Sequence, residues 1–97
     1  MNESDLPGID LTTLFLSVST AALMGLGIAP PGSQDAPEIN LALAKQNIDL
    51  LDLLREKTKG NRTPDEDRLL EQLLYETRML YVQVRERNVK DGAGPKK

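Results

Sequence analysis

Apolar residues between Leu41 and Val82 recur at the spacing of two amphipathic helices joined by a short polar turn. On the earlier helix they occupy two nearly opposite sides. One side carries Leu41, Ala44, Ile48 and Leu51, and the other carries Ile39, Ala42, Leu43, Leu50, Leu53 and Leu54. A helix that is apolar on two sides is usually packed between neighbours. The pattern therefore predicts a central helix with more apolar surface than one small hairpin can bury.

Start and stop signals place these two helices at about residues 36–59 and 64–88. The segments Asp35-Ala-Pro-Glu38 and Thr63-Pro-Asp-Glu66 both match a capping box with proline in the first turn. Gly60 is expected to end the earlier helix in the left-handed conformation. Because the turn between them is short, the two helices are predicted to form an antiparallel hairpin.

A mostly apolar segment upstream predicts a shorter first helix over about residues 10–27, with Asp10 as its N-cap. The fold class is therefore all-α: a short N-terminal helix and a long antiparallel helical hairpin, completed as a helical bundle by oligomerisation. A single domain is predicted over residues 10–89, with a disordered leader at 1–9 and a disordered tail at 90–97.

Two sets of residues are candidates for an interface. Tyr75, Met79 and Val82 lie opposite the main apolar stripe of the last helix, at the i, i+4, i+7 spacing with which a helix enters a groove. A stripe of small residues on the first helix permits close approach of another helix. This stripe includes Ser17, Ala21 and Gly25. Two interpretations of the Tyr75 set stay open, since it contacts either another chain or the first helix of the same chain.

Positive charge concentrates at the turn of the hairpin, where Lys57, Lys59 and Arg62 form a candidate docking site for an acidic partner or a phosphate. The alternative interpretation assigns Lys57 and Lys59 to helix termination, because cations near a helix C-terminus interact favourably with its dipole. The acidic residues at 65–67 would repel an anion at the same place.

The chain contains few side chains that could take part in catalysis or bind a metal. Cysteine and histidine are both absent, which removes thiol nucleophiles, the commonest general base and the commonest metal ligand. Asp49, Asp52 and Glu56 share one face of the central helix, and without histidine this face is expected to be solvated. The net charge of −3 disfavours nucleic acid as a partner. No catalytic, cofactor-binding or metal-binding residue is predicted.

The segment Leu11–Ala29 contains no charged residue and is therefore compared with a membrane span. Hydroxyl side chains interrupt it, and neither lysine nor arginine flanks it. The acidic residues that precede it are unlike the basic leader of a secretory signal. Burial in protein is the preferred interpretation, and membrane anchoring through Leu11–Ala29 is the alternative.

The run LALAKQNIDLLDLLREKTKGNRTPDEDRLLEQLLYETRMLYV (Leu41–Val82) resembles the bacterial family catalogued as domain of unknown function 1844. The similarity includes the EKTKGN turn at 56–61 and the Ile48-Asp49 pair, which a generic hairpin does not require. The upstream LFLSVSTAALMGLG (Leu14–Gly27) is similar to the apolar N-terminal segment of the family. The resemblance implies a small, soluble, bacterial, all-helical protein, and it implies no activity.

These observations predict a small, non-catalytic, cytoplasmic helical module for interaction or assembly. Its expected partner is a second copy of the chain, in a dimer or tetramer, and an unidentified protein partner is the next choice. Without histidine or cysteine an enzyme is a distant third hypothesis, after membrane association.

Overall fold

The computed structural model describes residues 10–30 and 32–90, with side chains through residue 88. This part of the chain forms three helices and no strand: α1 spans Leu11–Gly25, α2 spans Leu41–Lys57 and α3 spans Pro64–Lys90. The prediction of an all-α fold is confirmed. The predicted leader at 1–9 and the predicted tail lie outside the described residues, except that the backbone of Lys90 belongs to α3.

Helix α1 begins where the sequence predicts, at an aspartate that satisfies a free amide of the first turn. The carboxylate Oδ1 of Asp10 accepts a hydrogen bond from the Thr13 N–H at 2.8 Å. At the other end, the Leu26 N–H donates to the carbonyls of Ala22 and Leu23, and the chain turns away through Gly27 at φ +83°. The helix is therefore 15 residues long, or about 22 Å.

Helix α2 begins later than predicted, at Leu41 instead of residue 36. Its N-cap is Asn40, whose side-chain oxygen accepts from the Leu43 N–H at 3.1 Å, and the capping-box pattern at Asp35 lies outside the helix. The reason is a tertiary contact. The Asn40 N–H donates to the carbonyl oxygen of Gly25 at 2.7 Å, which joins the start of α2 to the end of α1. This long-range bond outweighs the local capping signal.

The turn of the hairpin follows its local signals closely. The Thr63 N–H donates to Glu66 Oε1 at 2.8 Å, and the Glu66 N–H donates to Thr63 Oγ1 at 3.1 Å. These reciprocal bonds are the capping box that was predicted for the start of α3. Gly60 has φ +83°, the expected left-handed conformation, but it does not cap α2: the C-cap is Thr58, and Gly60 lies in the turn beyond it. Helix α2 ends at Lys57, two residues before the predicted end, and α3 continues to Lys90.

The main core forms where α1 packs against both helices of the hairpin. Its fully buried members include Phe15 and Ala22 of α1, Leu51 of α2, and Leu70 and Leu74 of α3. A second, smaller cluster joins Leu26, Ala44 and Val84 near the other end of the hairpin. Between the clusters, α1 and α2 approach closely at Gly25, where an added Cβ would lie 2.7 Å from the Ala44 backbone nitrogen. The buried face of α1 therefore packs within its own chain.

Helix α2 is covered on only one of its two apolar sides. Ala44, Ile48 and Leu51 are buried, whereas Leu43, Leu50 and Leu53 on the other side are exposed. The sequence-based expectation that α2 is packed on both sides is thus not met within the described part of one chain. None of the helices in this part is long and apolar enough to cross a membrane.

Candidate functional site

The outward side of α3 carries an apolar ridge, defined here as Tyr75, Met79 and Val82. Their exposed fractions are 65%, 40% and 42%, although each side chain is large and apolar or aromatic. Helix α1 packs instead on the side of α3 that holds Leu70 and Leu74. Of the two interpretations that the sequence left open, the structure excludes packing of the ridge on α1 within the chain. The ridge is a surface feature of the hairpin.

Ion pairs border the ridge on the side that faces α2. The Arg78 guanidinium lies 3.2 Å from Asp52, and the Arg55 guanidinium lies 2.8 Å from Glu71. All four side chains are partly exposed, so each pair contributes only about 0.2–1 kcal/mol to stability. They connect the two antiparallel helices beside the ridge.

A shallow groove of about 310 Å³ runs between α2 and α3 next to Val82. It is lined by Lys45, Ile48, Asp49, Arg78, Tyr81 and Val82. The Lys45 ammonium donates to Asp49 at 2.8 Å, and this hydrogen bond raises the pKa of Lys45. Because Asp49 and Asp52 already pair with the cations of the groove, the groove presents balanced charge and an apolar floor.

A second uncovered surface lies on α2 and is called here the α2 outer stripe. Leu43, Gln46, Leu50 and Leu53 follow one another at alternating steps of three and four residues, and all are exposed. Such spacing places side chains along one seam of a helix, where a second helix can pack. Of the apolar side predicted from the sequence, Leu43, Leu50 and Leu53 belong to this stripe, whereas Ile39 precedes α2 and Leu54 packs against the main core.

The small-residue stripe of α1 is divided among different environments. Gly25 is buried against Ala44 of α2, Ala21 is half-buried, and Ser17 is exposed. Close approach of a helix at Gly25 therefore occurs, as the stripe predicted, but the neighbour belongs to the same chain. Only the Ser17 end of the stripe faces outward.

The three candidate docking residues at the hairpin turn differ in their exposure. Lys57 and Lys59 are exposed, whereas the side chain of Arg62 is only 11% exposed. Its guanidinium donates to the Arg55 carbonyl oxygen at 2.6 Å and to Thr58 Oγ1 at 2.9 Å, and it pairs with Asp67 at 2.9 Å. Arg62 thus joins the end of α2 to the first turn of α3.

Sequence reasoning missed this structural role of Arg62. The signal was its position between the last turn of α2, which has free carbonyls, and the acidic start of α3. With its donors occupied, Arg62 has little capacity left for an anion, and the docking hypothesis retains only Lys57 and Lys59.

No group of carboxylates in the described part of the chain has the arrangement of a metal site. Asp49 and Asp52 pair with cations instead, as the solvated-face interpretation expected. Thr77, the buried hydroxyl of α3, donates to the Leu73 carbonyl oxygen at 2.7 Å. Within the described residues, every buried polar side-chain atom has a hydrogen-bond partner, so none points to a ligand.

Taken together, these features define a small helical protein whose described residues form three helices and whose distinctive surfaces are uncovered helix faces. The chain belongs to the family described as domain of unknown function (DUF1844), whose model matches residues 8–83. The match includes all of α1 and α2, the turn, and α3 as far as the ridge. No curated protein and no solved structure matches the chain.

Proposed function

We propose that this protein is a non-catalytic helical module that self-associates and acts through protein–protein contacts. The observation that carries the proposal is the exposure of two apolar surfaces, the α3 ridge and the α2 outer stripe, on a chain whose core is otherwise well packed. Contiguous apolar surface of this kind marks interaction sites in soluble proteins more often than it serves the monomer.

The α3 ridge can contribute part of the free energy of a contact. Burying a large apolar side chain completely stabilises by about 1.5–3 kcal/mol. Since 40–65% of the surface of Tyr75, Met79 and Val82 is exposed, covering that remainder supplies roughly 1 kcal/mol each. Aromatic residues and methionine are also enriched in the cores of interfaces. Because association itself costs at least about 4 kcal/mol, the ridge needs the surface around it, including the adjoining groove, to form a stable contact.

A role without catalysis is supported by the kind of groups on these surfaces. The chain contains neither histidine nor cysteine, and the charged groups beside the ridge are partly exposed and paired with one another. An enzyme places its acids and bases in a cleft that shifts their pKa values. Here the groove holds balanced ion pairs, and we assign it no cofactor, metal or nucleic acid.

The proposed partner is first a second copy of the chain and then a different protein that uses the remaining surface. Membrane attachment through Leu11–Ala29 receives less support, because Phe15 and Ala22 of that segment are fully buried against the hairpin. The same residues cannot face lipid without opening the core.

Light scattering after gel filtration, without detergent, tests the proposal. We expect a discrete species with the mass of a dimer or tetramer that dissociates on dilution. A monomer at all accessible concentrations would contradict self-association. Polydisperse material that detergent converts into a discrete species would contradict it as well, and would favour a membrane role.

A further inference from the structure

The α3 ridge belongs to a longer seam whose ends are charged. Steps of three and four residues along α3 connect Arg68, Gln72, Tyr75, Met79, Val82 and Glu86, which we call the α3 seam, and all six are exposed. Alternating steps of three and four define the stripe along which one helix packs against another. The seam extends over about 27 Å of the helix.

The charges on the α3 seam have a polarity. Arg68, which pairs with Asp65 of its own helix at an exposed site, lies at one end and the anion Glu86 lies at the other, with Gln72 and the three ridge residues between them. A second copy in parallel orientation would place arginine on arginine and glutamate on glutamate. In antiparallel orientation each arginine meets a glutamate of the other copy. Charge complementarity therefore favours an antiparallel second copy.

The spacing also fixes the register of this pairing. Positions 68 and 86, 72 and 82, and 75 and 79 are all centred on residue 77, so the seam maps onto itself when two copies are related by a two-fold axis at that point. In this register Tyr75 packs on Met79 of the second copy, an aromatic–sulfur contact that occurs twice. No other register pairs all six positions with one another.

We propose that two copies of this chain associate through antiparallel packing of their α3 seams around a two-fold axis that passes between Tyr75 and Met79, at the level of residue 77. The inference rests on the self-association proposed above and names its surface, orientation and register. Along the border that faces α2, Glu71 at one end approaches Arg85 of the second copy, which adds a second pair of opposite charges. At the axis, Arg78 approaches its own equivalent, and each is neutralised by its own Asp52.

The α2 outer stripe offers no comparable match. Antiparallel pairing of its four positions brings Asp49 near its own equivalent, as happens to Arg78 beside the α3 seam, and each Asp49 is likewise paired within its own chain, with Lys45. One step beyond the two ends the stripe reaches Ile39 and Lys57, so no opposite charges face each other across the two copies. Parallel pairing extended by one step places Lys57 on Lys57. Like charges that face each other across a helix pair destabilise it. The α2 outer stripe is therefore the weaker candidate for contact between copies.

Cysteine cross-linking of the full-length protein tests the seam, because the natural chain contains no cysteine. We expect an equimolar mixture of Tyr75→Cys and Met79→Cys to form a disulfide-linked dimer on oxidation, since these two positions face each other in the proposed register. Each variant alone should cross-link far less. Both positions are exposed, so helicity measured by circular dichroism should match the natural protein.

The matched control is a mixture of Gln46→Cys and Leu50→Cys, which occupy corresponding positions on the α2 outer stripe. It should not cross-link. Efficient cross-linking of this control, or of Tyr75→Cys alone, would overturn the antiparallel seam while leaving self-association intact. A natural protein that is monomeric by light scattering would overturn both proposals together.

Charge reversal supplies an independent test of the register. Arg68→Glu or Glu86→Arg alone should raise the Kd of the dimer about tenfold, because each change replaces two attractive contacts with two repulsive ones. The double variant should restore the Kd to within about threefold of the natural value. Failure of the double variant to recover, with helicity unchanged, would exclude contact between these two positions.

Discussion

Gly25 marks a close approach of α1 to α2, and its replacement by alanine tests the packing of the whole molecule. A Cβ at this position would lie 2.7 Å from the Ala44 backbone nitrogen and 3.0 Å from the Ala44 Cα. These atoms belong to the first turn of α2 and cannot rotate away as a flexible side chain would. The two helices must therefore shift before Gly25→Ala can fold.

Two effects of opposite sign determine how much Gly25→Ala changes the free energy of unfolding. Forcing an extra methyl group into a packed contact costs about 1–3 kcal/mol. Replacing glycine with alanine stabilises a helix interior by about 0.5–1 kcal/mol, which is the upper limit here because Gly25 is the last residue of α1. A shift of α2 also threatens the hydrogen bond between Asn40 and the Gly25 carbonyl oxygen, at 2.7 Å, so we expect the first effect to dominate. The net destabilisation is about 1–2 kcal/mol, which lowers the Tm by roughly 5–10 °C.

Thermal unfolding followed by circular dichroism measures this change. Adding Ala44→Gly to Gly25→Ala removes only the side-chain contact and leaves the two backbone contacts, so it should not restore the Tm. Gly60→Ala provides a contrast, because an added Cβ there meets nothing within 4 Å and the cost comes from φ +83° alone. A Gly25→Ala variant at least as stable as the natural protein would refute the close approach of α1 and α2.

Two further predictions concern the ends of the helices. Arg62→Ala should lower the free energy of unfolding by about 2 kcal/mol in urea, because the Arg55 carbonyl and Asp67 lose their partner. Lys59 is an exposed residue of the same turn, and Lys59→Ala should change the free energy of unfolding by less than about 0.5 kcal/mol. Equal effects of the two substitutions would contradict the role of Arg62. The hydrogen bond from the Thr13 N–H lowers the pKa of Asp10 below its ordinary value of 3.8. The stability that this hydrogen bond contributes is therefore fully present above pH 3.8. It is lost as the pH falls through the lower pKa that Asp10 has in the folded state. Asp10→Ala should therefore reduce the acid dependence of the Tm below about pH 4, and identical acid profiles would contradict this assignment.

The local signals in the sequence predicted the helical elements well. The Thr63–Glu66 capping box, the left-handed Gly60 and the N-cap at Asp10 all depend on residues within about four positions of one another, and all three are present in the structure. The apolar spacing of α3 likewise identified Leu70 and Leu74 as core residues. Such features can be read from a sequence because their energies arise within one helical turn.

Features that depend on distant residues could not be obtained in this way. A second capping-box pattern at Asp35 is as good locally as the one at Thr63, yet α2 begins five residues later than predicted because Asn40 bonds to Gly25. The contact of Gly25 with Ala44 was likewise invisible in the local pattern, whereas the role of Arg62 had a local signal that sequence reasoning missed.

The candidate surfaces, too, were predicted from the sequence in part and decided by the tertiary structure in part. Spacing alone identified Tyr75, Met79 and Val82 as an apolar set and α2 as apolar on two sides, since each helix orients its own side chains. Which of these sides remains exposed was decided only when α1 packed against Leu51 and Leu74 and left the opposite sides uncovered. A helix determines the direction of its side chains from its own sequence, whereas burial requires a neighbour whose position depends on the whole chain.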